Sequence, residues 1–221
     1  MNLPDGLLDG SWCWPAWGLV AVFALYAVRH APWPLLTDET RLNAWLGMIV
    51  ALILLWNMKA GVKPGLSLHL LGATVFTLCF DWALAFLGLC AVLAGTTLNG
   101  VGGWEAFGIN ALMLGGVGVA VSYGVRRLEK RFLPHHFFIY VFVNGFFGAG
   151  LTVLAVGAAS CLIFMLSGVY SAEYLFSEYF PYFLLLGFAE AWLSGMLMTL
   201  LVVYRPDWVM TFEDALYLKN K

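Results

Sequence analysis

From Phe137 to Tyr170 the chain carries no charged side chain. A bilayer core is spanned by about 20 apolar residues, so this run is too long for one upright helix and marginal for two. Six further apolar runs accompany it: Trp14–Val28, Leu42–Met58, Leu66–Phe80, Trp82–Leu98, Phe107–Val125 and Tyr182–Tyr204. Of the 221 residues 62% are hydrophobic and 11% charged, against about 25% charged in a soluble domain. A soluble fold is therefore excluded. The pattern predicts an all-α, polytopic integral membrane helical bundle of about seven transmembrane helices in a lipid bilayer, with residues 1–221 forming a single transmembrane domain.

Charge decides how the longest run is used. If Phe137–Tyr170 is one tilted span and the N-terminus is outside, one side receives Arg29, Arg41, Arg126, Arg127, Lys130, Arg131, Arg205, Lys219 and Lys221. The other side receives only Lys59 and Lys63. Such a positive-inside bias places the C-terminus in the cytoplasm. Splitting the run would move Arg205, Lys219 and Lys221 outside, against the rule. Ala31-Pro32-Trp33-Pro34 ends the first span, and Asp81 marks a turn between the third and fourth. The first fifteen residues are acidic and turn-like, without the basic start of a signal peptide, so Met1 itself is the expected N-terminus. Small residues recur at four-residue spacing in Gly116, Ala120 and Gly124, in Gly145 and Ala149, and in Ala191 and Gly195. They are expected to be packing faces.

Several function classes drop out. No basic stripe with interleaved aromatics suggests nucleic acid. No phosphate-binding loop exists, so any ATP hydrolysis must come from partners. Neither a nucleophile–base pair nor an HExxH-type cluster suggests an enzyme. Cys79, Cys90 and Cys161 lie in apolar runs and read as packing residues.

The remaining polar residues share the predicted outer face. His69 enters an apolar segment flanked by Lys59, Lys63 and Asp81, and an ionisable group there marks a functional site or an interfacial histidine. Asn99–Asn110 is a glycine-rich loop, and Tyr170–Pro181 is a further outer segment. Glu190, inside the last span, needs a partner or a cavity; Asn110 and Asn144 are candidate partners. On the cytoplasmic side, Arg126-Arg127-Leu128-Glu129-Lys130-Arg131 reads either as a topology signal or as a partner contact.

Four stretches, in order, resemble the CbiM/NikM family, the substrate-capturing membrane components of energy-coupling-factor (ECF) importers for cobalt and nickel. Pro4-Asp5-Gly6-Leu7-Leu8 is similar to the family's opening. Gly65-Leu66-Ser67-Leu68-His69-Leu70-Leu71-Gly72-Ala73 resembles its Ser-x-His-x-x-Gly segment, and Gly102-Gly103-Trp104-Glu105-Ala106-Phe107-Gly108-Ile109-Asn110-Ala111 its glycine-rich loop. Ala189-Glu190-Ala191-Trp192-Leu193-Ser194-Gly195, with Tyr204-Arg205-Pro206-Asp207, is similar to its last helix. The resemblance implies a multi-pass protein of the bacterial inner membrane. Its implied partners are an ECF coupling transmembrane subunit and cytoplasmic ATPases, and its implied substrate is Ni(II) or Co(II). It also implies metal ligands at residue 1, residue 2 and His69, hence Met1, Asn2 and His69. Here residue 2 departs from the family's histidine, and an amide is a poor ligand for these ions. A non-transporting accessory or assembly protein of the same fold is the alternative.

Overall fold

The computed structural model describes residues 2–61, 63 and 65–218. Its helices are α1 (Gly10–His30), α2 (Glu39–Asn57), α3 (Ala73–Leu98), α4 (Phe107–Phe132), α5 (Phe137–Leu166), α6 (Ala172–Glu178), α7 (Phe180–Tyr204) and α8 (Asp214–Tyr217). Local chemistry sets several boundaries. Pro32 follows the end of α1, Asp38 caps α2 by accepting the Thr40 N–H at 2.7 Å, and Ser171 caps α6 by accepting that of Tyr174 at 3.3 Å. Two short antiparallel strands, β1 (Ala60–Gly61) and β2 (Ser67–Leu68), shape the loop between α2 and α3.

Six helical stretches are long and apolar enough to cross a membrane, α6 and α7 counting as one. The seventh expected pass is present as half a pass. At Asp81 (φ 63°, ψ 169°) α3 is not helical, and the chain reverses there. A Cβ placed on Gly88 would clash with the edge of the Phe76 ring, so the two halves of α3 lie against each other. The expected third span, Leu66–Phe80, is helical only from Ala73, because Gly72 takes a left-handed conformation (φ 69°) open to glycine. Residues 66–72 instead enter the bundle as non-helical backbone, which is tolerated at depth when buried in protein.

The long uncharged run is one helix, α5, of 30 residues, about 45 Å at 1.5 Å per residue. Its small residues pack on α7: a Cβ on Gly145 would approach Gly195 Cα at 3.5 Å, and one on Gly150 would meet the Gly187 carbonyl at 3.4 Å. The stripe Gly116, Ala120 and Gly124 does not pack as expected. Ala120 is exposed and Gly124 has open space beside it, whereas Gly115 and Gly118 face the core. A π-helical segment over Ala111–Val117 takes α4 out of the straight 3.6-residue register on which that spacing relied.

Asn2, His69, Thr97 and Gly102 gather at one end of the bundle. The other end is closed by residues 209–217. There the Met210 and Thr211 N–H groups donate to the Cys79 and Leu78 carbonyls at 3.1 and 3.2 Å, where α3 breaks. Arg126, 6% exposed, pairs with Glu129 at 2.6 Å and donates to the Thr211 carbonyl at 2.7 Å. The Tyr217 hydroxyl donates to Glu129 at 3.2 Å. The Arg126–Arg131 stretch is thus the end of α4, with Arg126 and Glu129 turned inward and Arg127, Lys130 and Arg131 exposed. Lys219 and Lys221 of the charge argument lie outside the described residues.

Candidate metal-capture site

The N-terminal segment is threaded into the bundle and anchored at both ends of its first turn. Asn110 of α4 grips Leu3: its Oδ1 accepts the Leu3 N–H at 2.8 Å, and its Nδ2 donates to the Leu3 carbonyl at 3.0 Å. The Leu3 carbonyl also accepts the Gly103 N–H at 3.2 Å. Two residues on, the Asp5 carboxylate accepts the N–H groups of Trp104 and Ala106, each at 3.1 Å, just ahead of α4, where a negative charge is favoured. Gly103 has to lack a side chain, because a Cβ there would overlap Asp5. These contacts give the glycine-rich loop its role: it is the socket for the leader.

This anchoring brings Asn2 to His69. Both are buried, at 3% exposure, and Asn2 Oδ1 lies 3.3 Å from His69 Nε2. His69 Nδ1 lies 3.0 Å from the Leu70 carbonyl. A carbonyl only accepts, so this contact is a hydrogen bond in the tautomer with the proton on Nδ1, which leaves Nε2 a lone pair; the opposite tautomer would donate from Nε2 to Asn2 Oδ1. Trp56 packs on the imidazole with ring centres 4.7 Å apart, and its Nε1 donates to the Leu71 carbonyl at 3.2 Å. Burial pushes the imidazole pKa down to about 3, and the positive charge of Lys59 acts in the same direction. His69 is therefore neutral at physiological pH, the form in which imidazole binds metals.

With the proton on Nδ1, two lone pairs face each other, Asn2 Oδ1 and His69 Nε2, while Asn2 Nδ2 has no partner among the described residues. Two arrangements relieve this. The amide can turn and donate from Nδ2 to the imidazole, or a cation can sit between the two acceptors. Their spacing is that of adjacent ligands on one ion with bonds of about 2.1 Å. Among the described residues no three His, Cys, Asp or Glu side chains converge, so any ion here depends on backbone or terminal nitrogens as well. Met1, the third ligand expected from the resemblance, lies outside the described residues. A groove of about 680 Å³ between α2 and α7, lined by Met48, Leu52 and Leu197 together with Leu70, Gly72 and Glu190, is mostly apolar. It includes neither Asn2 nor His69.

The expected outer segments touch one another at this end of the bundle. Lys59 Nζ donates to the Val101 carbonyl at 3.3 Å, and Lys63 lies over the Tyr174 ring at 4.0 Å. Glu190 meets neither Asn110 nor Asn144. Its carboxylate accepts the backbone N–H groups of Leu71 and Gly72 instead.

Residues 2–208 match the family described as CbiM, cobalt uptake substrate-specific transmembrane region. The chain belongs to the CbiM family. A relative from Haloquadratum walsbyi, provisionally described as a metal transport protein, is 29% identical over 218 residues, covering 97% of this chain and 96% of the relative. Among solved structures, a truncated transition metal transporter superposes with a TM-score of 0.76 at 19% identity, covering 92% of this chain and 99% of that one. A second structure, of a transition metal transporter, gives 0.75 at 20% identity, covering 91% and 92%. This CbiM-family chain therefore shares the transporter fold along nearly its whole length. It is a multi-pass membrane protein.

Proposed function

We propose that this protein is the substrate-capture component of an ECF-type ABC importer in the bacterial inner membrane, acting as one transmembrane domain and taking a transition metal ion such as Ni(II) or Co(II) from the outer face. The observation that carries this reading is the buried Asn2–His69 pair, with the imidazole Nε2 facing the anchored leader at 3.3 Å. The ligands are Met1, through its amine, Asn2 and His69. Imidazole and amine nitrogens suit these ions. The protein has no catalytic step of its own: cytoplasmic ATPases and a coupling transmembrane subunit supply the energy. Arg127, Lys130 and Arg131 face the side on which those partners dock.

Co-expression with an ATPase and coupling subunit encoded beside it tests this reading. The proteins should co-purify, and the cells should accumulate radiolabelled nickel or cobalt. His69→Ala should abolish accumulation while leaving the complex assembled. One observation favours a second reading: Asn2 offers only an amide where the family has a second imidazole. If no ATPase co-purifies and accumulation is unchanged by His69→Ala, the protein is an accessory membrane factor with an altered pocket.

A further inference from the structure

Glu190 lies in the middle of the apolar helix α7 and is 2% exposed. Its two carboxylate oxygens each accept one backbone N–H, Oε2 from Leu71 at 2.7 Å and Oε1 from Gly72 at 2.6 Å. No ion pair to it occurs among the described residues. The two N–H groups stand at the start of the first half of α3, where no helical carbonyl is available to them and where the helix dipole favours a negative charge.

What these peptides do on their other side gives the carboxylate a purpose. The N–H of Leu71 and the carbonyl of Leu70 belong to one planar peptide group. Glu190 holds its N–H, and His69 Nδ1 lies 3.0 Å from its carbonyl, which accepts when Nδ1 carries the proton. Likewise the N–H of Gly72 and the carbonyl of Leu71 form one peptide. Glu190 holds that N–H too, and Trp56 Nε1, whose ring packs on His69, donates to that carbonyl at 3.2 Å. One carboxylate thus fixes the two planes that orient the imidazole and the indole beside it. A carboxylate on the N–H of an amide also polarises its carbonyl into a better acceptor.

We infer that Glu190 is a positioning residue for His69, acting through two peptide groups to hold the imidazole in the tautomer that leaves Nε2 as the free ligand atom. The inference rests on His69 being the capture ligand only for its consequence in metal binding; the tautomer is measurable without metal. In ¹⁵N-histidine NMR of the purified full-length protein, His69, assigned by its loss in His69→Asn, should show a single Nδ1–H tautomer. Glu190→Gln can hold only one of the two N–H groups and should give a mixture. Glu190→Asp, one methylene shorter, should fall between, and it covers the case in which Glu190→Gln does not fold. Glu105→Gln, in an outer loop, should match the wild type. In an Asn2→His background, Co(II) affinity should fall about 10- to 100-fold with Glu190→Gln. A wild-type tautomer in the Glu190 variants would overturn the inference. A shifted tautomer in a protein that binds no Co(II) in any background would leave it standing and overturn the capture function instead.

Discussion

At the scale of single residues, the site is a meeting of backbone and side chain across long stretches of sequence. Asn110 satisfies both main-chain groups of Leu3, which is fully buried. Asn110→Leu keeps the approximate volume and orphans the Leu3 N–H, leaving the carbonyl only the Gly103 N–H, a loss of about 1–3 kcal/mol. The unfolding midpoint of the purified protein should fall accordingly, and an unchanged midpoint would show that the leader is not seated. Gly103→Ala should act more locally: its methyl group would displace Asp5, so the leader should become open to aminopeptidase while the bundle stays folded. His69 was legible in the sequence as an ionisable group entering an apolar segment. The grip of Asn110 on Leu3 was not, because it joins positions 107 apart and one partner is main chain, which leaves no side-chain signature. The partners of Glu190 were hidden for the same reason: two amides look like nothing in a sequence.

At the scale of elements, the break in α3 organises the fold. Asp81 was readable as a turn between apolar runs, and it is one. The start of the third helix was misplaced by seven residues' worth of apolar sequence, Leu66–Gly72, because hydropathy does not distinguish a buried loop from a buried helix. Asp81 occupies a backbone region (φ 63°, ψ 169°) that is almost reserved for glycine and costs about 1–3 kcal/mol in other residues. Asp81→Gly should therefore raise the unfolding midpoint, and Asp81→Val should lower it; the reverse order would mean that the carboxyl group itself holds the turn. At the opposite end, residues 209–217 close over a buried Arg126–Glu129 pair. Arg126→Met would leave the buried Glu129 without its cation, with only the Tyr217 hydroxyl beside it, a loss of about 3–5 kcal/mol. Thermal unfolding in detergent should register this as a far larger loss than that caused by Arg127→Met on the exposed face.

At the scale of the whole molecule, the half-pass in α3 reconciles six long helices with termini on opposite sides. Counting apolar runs alone gives seven, and counting helices alone gives six. The charge asymmetry agrees with the former, because the first half of α3 reaches the closed end and the second half returns. A cysteine introduced at position 130 should accordingly react with an impermeant label only from the cytoplasm; labelling from outside would overturn the arrangement. The same arrangement sets the leader, the socket and His69 together at the outer face, and this is the central claim. Calorimetric titration of purified protein with a free Met1 amine, using Ni(II) and Co(II), tests it most directly. The wild type should bind weakly, Asn2→His should bind tighter by well over tenfold, a gain of more than about 1.4 kcal/mol, and adding His69→Ala should abolish that gain. Undetectable binding by Asn2→His, or a gain that survives His69→Ala, would contradict it.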